Sequence, residues 1–494
     1  MPANCLSEWL TAAASVYTAH THLHGFPGPR LAAYTRLWMV EALRSEKCST
    51  WYLETNERYG PLARIGPNNL LTSDPEVFRQ VLGARSKYER GTWFDCLRLD
   101  PHRANLITER DRIVHNQLRA KMAAGYDGKD VENFESTIDE NLACWLRYVD
   151  RHGLSAVNTT VEFDIARSIQ WLLFDMICRL CLGEPVGFVE DHKDHYHFQK
   201  TLEERLPVVE KFAVMTEVNS WIRFISMIPF LRRVLPSSRD QDGIGAVLGL
   251  AETSLKQRQR PDYKPRKDIL GSWLRHDVNQ SLLPSEITIA LFAGSDTTAT
   301  SVRALLLHII SNPLIYIRLT DEIAVAHKEG IISQPCREVE ISRLSYLQAC
   351  IKEGLRVFPP ITALRERVVP AGGDTLRGHF IPGGTRIGLN LLGLLTHEVF
   401  GRDPKVFRPE RWLEAAPQQL RSMERVHELM FNWGFTRCLG IRLANLMISK
   451  FMIEVFRRWD VTTTRPQKPW DSRCHGIFYQ KDFFVRITPR TNSE

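Results

Sequence analysis

The longest apolar pattern in the chain runs from Ser285 to Asn312 and is stopped by Pro313. Apolar residues cover most of its faces rather than one stripe, which predicts a helix threading the middle of a large hydrophobic core. A second helical pattern, Leu344 to Val357, ends at Phe358-Pro359-Pro360, where proline bars the helical conformation from the residue before it. Further helices are predicted from Val131 to Val149, from Val161 to Leu182, and from Ile441 to Trp459. Alternating patterns are shorter. Leu62 to Ile65 and Leu70 to Thr72 flank Gly66-Pro67-Asn68-Asn69 and predict a hairpin. Asp74-Pro75-Glu76 then offers an acidic cap and a proline at the first helical position, a helix start. From Asp374 to Gly388, apolar residues punctuated by Gly378, Pro382, Gly383 and Gly384 predict another sheet element. The expected class is mainly α with small β-sheets.

Polar residues interrupt these patterns where chemistry is expected. Within the central helix stands Ala293-Gly294-Ser295-Asp296-Thr297-Thr298. Glycine and threonine weaken a helix and an interior carboxylate must be compensated, so a notch of this kind is improbable as mere core. Cys438 lies in Phe431-Asn432-Trp433-Gly434-Phe435-Thr436-Arg437-Cys438-Leu439-Gly440, just ahead of a helix. Gly434 and Gly440 allow a turn tight enough to aim the sulfur, and the helix N-terminus stabilises its negative charge. This predicts a metal-ligating thiolate with haem as partner, against the reading of a buried structural cysteine. Glu353 and Arg356, three apart, share one helix face; alone they read as a solvated surface pair.

The stretch around Cys438 resembles the haem-binding loop of the cytochromes P450, the haem-thiolate monooxygenases. Phe431, Gly434, Cys438 and Gly440 match the pattern, while Thr436 stands at the position of its arginine; Arg437, one residue later, is the nearby candidate for a propionate. Phe407-Arg408-Pro409-Glu410-Arg411-Trp412 resembles the segment whose arginine completes a buried structural triad, here Glu353, Arg356 and Arg411. The same resemblance implies that His115, Arg119 and Arg367 anchor propionates. It implies too that Gly294 and Thr297 open a local widening of the central helix where dioxygen binds, and that Asp296 and Thr297 relay protons. Substrate would touch Phe292, Ala293, Ile361, Ala363 and Ile477. The implied fold is a helix-rich triangular prism with heme b between the central helix and the helix after the cysteine. Asp100 to Leu106, Lys121 to Tyr126 and the tail from Pro469 to Ile487 resemble fungal members of the pisatin-demethylase-like kind.

The activity implied by this resemblance is insertion of one oxygen atom from dioxygen into a hydrophobic small molecule, a fungal secondary-metabolite intermediate. Electrons would come from NADPH through a partner reductase docked on basic residues, for which Arg112, Lys121, Arg442 and Lys450 are the candidates. Two alternatives stay open. One is a relative that desaturates, rearranges or couples substrates without net oxygen insertion; the other is a non-catalytic haem or lipid-binding protein.

With 44% hydrophobic residues, and no linker, repeat or long charge run, residues 26–494 are expected to form a single catalytic domain. Residues 1–25 resemble a short or incomplete membrane anchor. Ser7 to His24 is broken by Thr11, Ser15, His20 and His22, short of the roughly 20 apolar residues of a span, and it lacks the basic residues of a secretory signal. Phe26-Pro27-Gly28-Pro29-Arg30 resembles the hinge that comes after such anchors, and kinship implies the cytosolic face of the endoplasmic reticulum membrane. A net charge of +7 and a pI near 8.9 come without the basic stripe that nucleic acid would need. Ten cysteines without a paired framework suit a reducing compartment. Cys178 and Cys181 read as structural, and Gly243 to Gly249 has one residue too many for a dinucleotide fingerprint. The acceptor patterns at Asn158 and Asn279 are common by chance.

Overall fold

The computed structural model describes residues 23–100, 102–156, 158–215 and 236–490. The anchor expected in residues 1–25 lies almost wholly outside them. Helices dominate, and the sheets are small and set apart from one another.

The central helix runs Leu283–Ile310; its 28 residues give a length of roughly 42 Å. Residues on nearly every side of it are buried, as the all-round apolar pattern requires. It packs against Ile165–Leu182, against Ser345–Val357 and against Ile441–Arg458. Gly294 permits close approach to the first of these, since a Cβ there would stand 2.9 Å from Ile177 Cδ1. The expected widening at Gly294 and Thr297 is not seen: the α-helix is continuous, and the glycine serves close packing instead.

The hairpin of Leu62–Gly66 and Asn69–Thr72 forms as expected and joins Arg386–Leu389, Arg367–Val368 and Glu89–Arg90 in a five-stranded sheet. The Phe26-to-Arg30 segment lies on its first strand. Arg64 donates its N–H to the Pro27 carbonyl at 2.8 Å, and any Cβ on Gly28 would fall 2.1 Å from the Arg64 carbonyl oxygen. Asp74 caps the helix Pro75–Leu82, its Oδ1 accepting from the N–H groups of Glu76 and Val77 at 2.9 Å each.

Three boundaries differ from the pattern. The helix expected from Val131 runs Phe134–His152. That expected from Val161 starts at Ile165, because Phe163 and Asp164 pair with Val485 and Phe484 of a three-stranded sheet. The Asp374-to-Gly388 region divides into a hairpin, Asp374–Leu376 with His379–Ile381, and the strand Arg386–Leu389, which leaves for the larger sheet. Cys178 and Cys181 are buried inside a helix and burial raises both thiols. The Gly243 cluster opens the helix Gly243–Arg258.

Candidate active site

Cys438 precedes the helix Ile441–Arg458, and its loop is closed by its own N–H donating to the Phe431 carbonyl at 2.8 Å. Gly434 has φ +60° and lies so near the 82–84 turn that a Cβ would meet the Leu82 carbonyl oxygen at 2.5 Å, so only glycine fits there. Cys438 is exposed as a residue, although its thiol is closely ringed by protein. Burial raises the thiol above its ordinary value, while the Gly440 N–H and the charges of Arg119 and Arg437 oppose that rise. The N–H and the two charges offset part of the cost that burial places on the thiolate without reversing the rise.

The three residues of the expected triad come together. Glu353, Arg356 and Arg411 are all buried. Glu353 Oε1 accepts from Arg356 Nη2 at 2.7 Å and Arg411 Nε at 2.8 Å, and Oε2 from Arg356 Nε at 2.9 Å. Trp412 Nε1 and the Arg408 N–H, each at 2.9 Å, complete the carboxylate's shell; both belong to the segment around Arg411, which pointed to the arginine alone. The arginines spend their remaining donors on carbonyls of Leu395, Phe400, Asp403 and Val406, which pins the irregular segment ahead of the cysteine loop.

Of the four expected propionate residues, His115 and Arg367 fall into a buried basic cluster. His115 faces Arg90 Nη2 at 3.3 Å and packs edge-on against Phe435 of the cysteine loop. Burial, helped by Arg90, lowers its pKa to about 4, so the ring is neutral at pH 7. Arg367 is buried, donates to the Arg365 carbonyl at 2.7 Å, and reaches Thr436 Oγ1 at 3.5 Å. Arg119 is half-buried and interacts electrostatically with Cys438; Arg437 is exposed. Arg90 and Arg365, neither of which the sequence pointed to, join the cluster, and burial lowers each guanidinium to about 10.

These residues fit haem. Among the described residues no group of three or more His, Cys, Asp or Glu is placed to hold a bare metal ion. A single sulfur backed by a helix start, with buried arginines close by, suits a metal that brings its own equatorial ligands and two carboxylates.

Along the central helix, Ala293 is exposed and Thr297 half-buried, whereas Ser295 and Asp296 turn inward. Thr297 Oγ1 donates to the Ala293 carbonyl at 2.7 Å. Burial raises the Asp296 carboxyl to about 6, against the pull of buried Arg303. Arg303 is itself held by the Ala166 carbonyl at 2.6 Å and Gln170 Oε1 at 3.0 Å.

Of the expected substrate contacts, Ile361 and Ile477 pair in an isolated bridge, and the Ala363 N–H donates to the Gly476 carbonyl at 2.7 Å. Phe292 instead stacks on Phe198, centroids 5.0 Å apart. A cavity of about 310 Å³ takes in Ile477 alone of these five, beside Glu203, Glu210, Arg473 and Tyr479.

A family model, Cytochrome P450, matches residues 27–484. The chain belongs to the cytochrome P450 family. It is 35% identical over 503 residues to "Cytochrome P450 monooxygenase ABA1" of Pyricularia oryzae strain 70-15, covering 98% of each chain. It is 33% identical over 479 residues to "Cytochrome P450 monooxygenase aba1" of Botryotinia fuckeliana strain B05.10, covering 96% of this chain and 93% of the relative. With "Cytochrome P450 monooxygenase abl1" of Leptosphaeria maculans it shares 31% identity over 468 residues, 93% of this chain and 82% of the relative. The protein is thus a fungal cytochrome P450 monooxygenase, an oxidoreductase whose family implies haem-thiolate iron, a redox partner, dioxygen and an organic substrate.

In a cytochrome P450 the haem supplies reductive activation of dioxygen, with the thiolate pushing electron density toward O–O cleavage. The chain's own residues bear the remaining tasks. Cys438 would hold the iron, and the arginine cluster would hold the carboxylates. Asp296, titrating near 6, can take up and release a proton close to neutral pH.

One expectation for the redox partner's docking face is overturned. Lys450 is buried, its Nζ bonded to Asp139 at 2.7 Å and Glu135 at 2.8 Å, so it joins two helices and presents no charge outside. Arg442 is paired with Glu338 at 2.6 Å. Lys121 donates to the Asp277 carbonyl at 2.8 Å at the surface, and Arg112 lies over the Phe435 ring at 4.6 Å. Lys121 is exposed, whereas Arg112 is half-buried against the cysteine loop, its guanidinium donating to the Ser86 and Ala84 carbonyls.

Proposed function

We propose that this cytochrome P450 inserts one oxygen atom from dioxygen into a hydrophobic small molecule, an intermediate of fungal secondary metabolism, using NADPH electrons passed through a partner reductase. The observation that carries this reading is the pairing of an acid and an alcohol, Asp296 and Thr297, in the central helix, which packs on the helix behind Cys438. Thr297 is half-buried on the accessible side of the helix, its hydroxyl donating to the Ala293 carbonyl, and Asp296, its neighbour in the chain, is the acid that restores the proton the alcohol gives up in this reading. That the relatives are fungal and named monooxygenases supports it further. Purified enzyme, reconstituted with reductase, NADPH and extracts of fungal metabolites under labelled dioxygen, should give product bearing one labelled oxygen. Turnover that yields only unlabelled, desaturated or coupled product would replace this reading with oxidation lacking oxygen transfer.

We further infer association with the cytosolic face of the endoplasmic reticulum membrane. Leu31, Tyr34 and Leu37 are exposed directly after the hinge-like segment, and Val208, Phe212 and Met215 are exposed at the end of Phe198–Val214, the helix on which Leu37–Arg44 packs. An apolar patch gathered from two such elements suits a lipid surface. Among the described residues no single helix is long and apolar enough to cross a membrane; the bent pair that passes by composition contains the central helix itself. Flotation of the full chain with neutral phospholipid vesicles should fall when Leu31, Leu37 and Phe212 are replaced together by serine; unchanged flotation would remove this inference.

A further inference from the structure

Arg90, Arg365 and Arg367 are buried together, and the carboxylate beside them is already engaged. Glu366 accepts from the Trp93 N–H and Asn69 Nδ2, both at 3.2 Å, and faces Arg386 at 3.7 Å. Arg365 is the least satisfied of the three. Its Nη1 donates to Asn432 Oδ1 at 3.0 Å, next to Phe431 at the start of the cysteine loop, while Nε and Nη2 are buried without a hydrogen-bond partner among the described residues. Its backbone sits at φ +41°, a conformation costly for any residue with a side chain. A buried guanidinium that leaves two nitrogens unpaired is unfavourable unless an acceptor fills the gap, and a planar fork of donors is matched by a carboxylate. Thr436, 3.5 Å from Arg367 Nη2, borders the same cluster and brings no charge to it.

We propose that Arg365 binds one haem carboxylate through Nε and Nη2, supplying from the strand side the anchoring charge that position 436 of the cysteine loop lacks. The inference rests on the haem-thiolate reading, and that reading is monitored separately by the red-shifted absorption of the reduced carbon monoxide complex. A charged hydrogen-bonded pair of this kind corresponds to roughly a ten- to hundredfold change in an equilibrium or rate.

The test uses full-length holoenzyme and follows transfer of haem to excess apomyoglobin. Arg365→Met should speed transfer by roughly ten- to a hundredfold, with the carbon monoxide absorption of the remaining enzyme unshifted. Adding Thr436→Arg should restore slow transfer, since that side chain enters the same cluster. If Arg365→Met cannot be loaded at all, recovery of loading in Arg365→Met/Thr436→Arg supports the proposal, and failure to recover overturns it. Transfer at the parental rate in Arg365→Met also overturns it, and would assign the two nitrogens to another carboxylate, such as one on the substrate. Faster transfer that Thr436→Arg does not correct would reduce Arg365 to a packing role and sink the proposal as well.

Discussion

Removing the carboxylate of Glu353 should cost this protein its cofactor before it costs any catalytic step. Glu353 accepts five hydrogen bonds, from two nitrogens of Arg356, from Arg411, from Trp412 and from the Arg408 N–H. Glu353→Ala leaves two buried guanidiniums with carbonyl partners only, and stripping one member from a buried charge network costs about 3 to 5 kcal/mol. Against a typical total of about 5 to 15 kcal/mol, the ratio of folded to unfolded chain falls by between about two and four orders of magnitude, which brings a marginal protein to the edge of unfolding. Burial alone would raise the Glu353 carboxyl, but Arg356 and Arg411 outweigh it and the net shift is downward. The stabilisation is therefore complete above the ordinary carboxylate value of about 4.5 and is lost as pH falls through the depressed value. The assay is haem content per chain, read from the reduced carbon monoxide spectrum, together with a urea unfolding curve at pH 7. Soluble, fully loaded Glu353→Ala protein with the parental midpoint would refute the structural role of the triad.

Thr297→Ala should keep NADPH consumption but lower product per NADPH by roughly tenfold or more; parental coupling would dismiss its part in proton delivery. Gly294→Ala should lose about 1 to 3 kcal/mol through overpacking, because the new Cβ meets Ile177 Cδ1 at 2.9 Å, and Ile177→Val in the same chain should recover most of it in thermal unfolding. Burial raises Glu210 to about 8, so between about pH 4.5 and 8 the folded chain keeps a proton that the unfolded chain releases, and stability falls as pH rises. Glu210→Gln should flatten that decline by roughly 1.4 kcal/mol per pH unit; parallel stability curves for the two proteins would count against it. Cys438→Ser should lose the red-shifted carbon monoxide absorption, and its retention would displace Cys438 as ligand.

The long helices were legible because their apolar residues repeat with helical spacing: Leu283–Ile310 and Ile441–Arg458 start or stop within two residues of the pattern. The triad was legible only through the resemblance of the Arg411 segment, since the spacing of Glu353 and Arg356 alone read as a surface pair, and the structure buries all three members. What stayed hidden depends on pairing at a distance. The first turn expected after Val161 became strand because Phe484 and Val485, more than 300 positions away, needed a partner. Lys450 looked like a surface charge until Glu135 and Asp139 arrived from another helix. Arg90 and Arg365 carry no motif, and only the fold brings them to the cysteine loop. Gly294 was visible as an oddity in a helix, but its neighbour Ile177 was not, so its packing use could not be read.

The contact between Gly434 and the Leu82-to-Ala84 corner bears on attempts to recombine this enzyme with its relatives. Two pieces of chain some 350 positions apart are moulded to each other with no spare volume, so they behave as one exchangeable module. A chimera whose crossover separates them would join a foreign corner to a native loop and misdirect the sulfur, whereas one that transfers both pieces together keeps the aim intact.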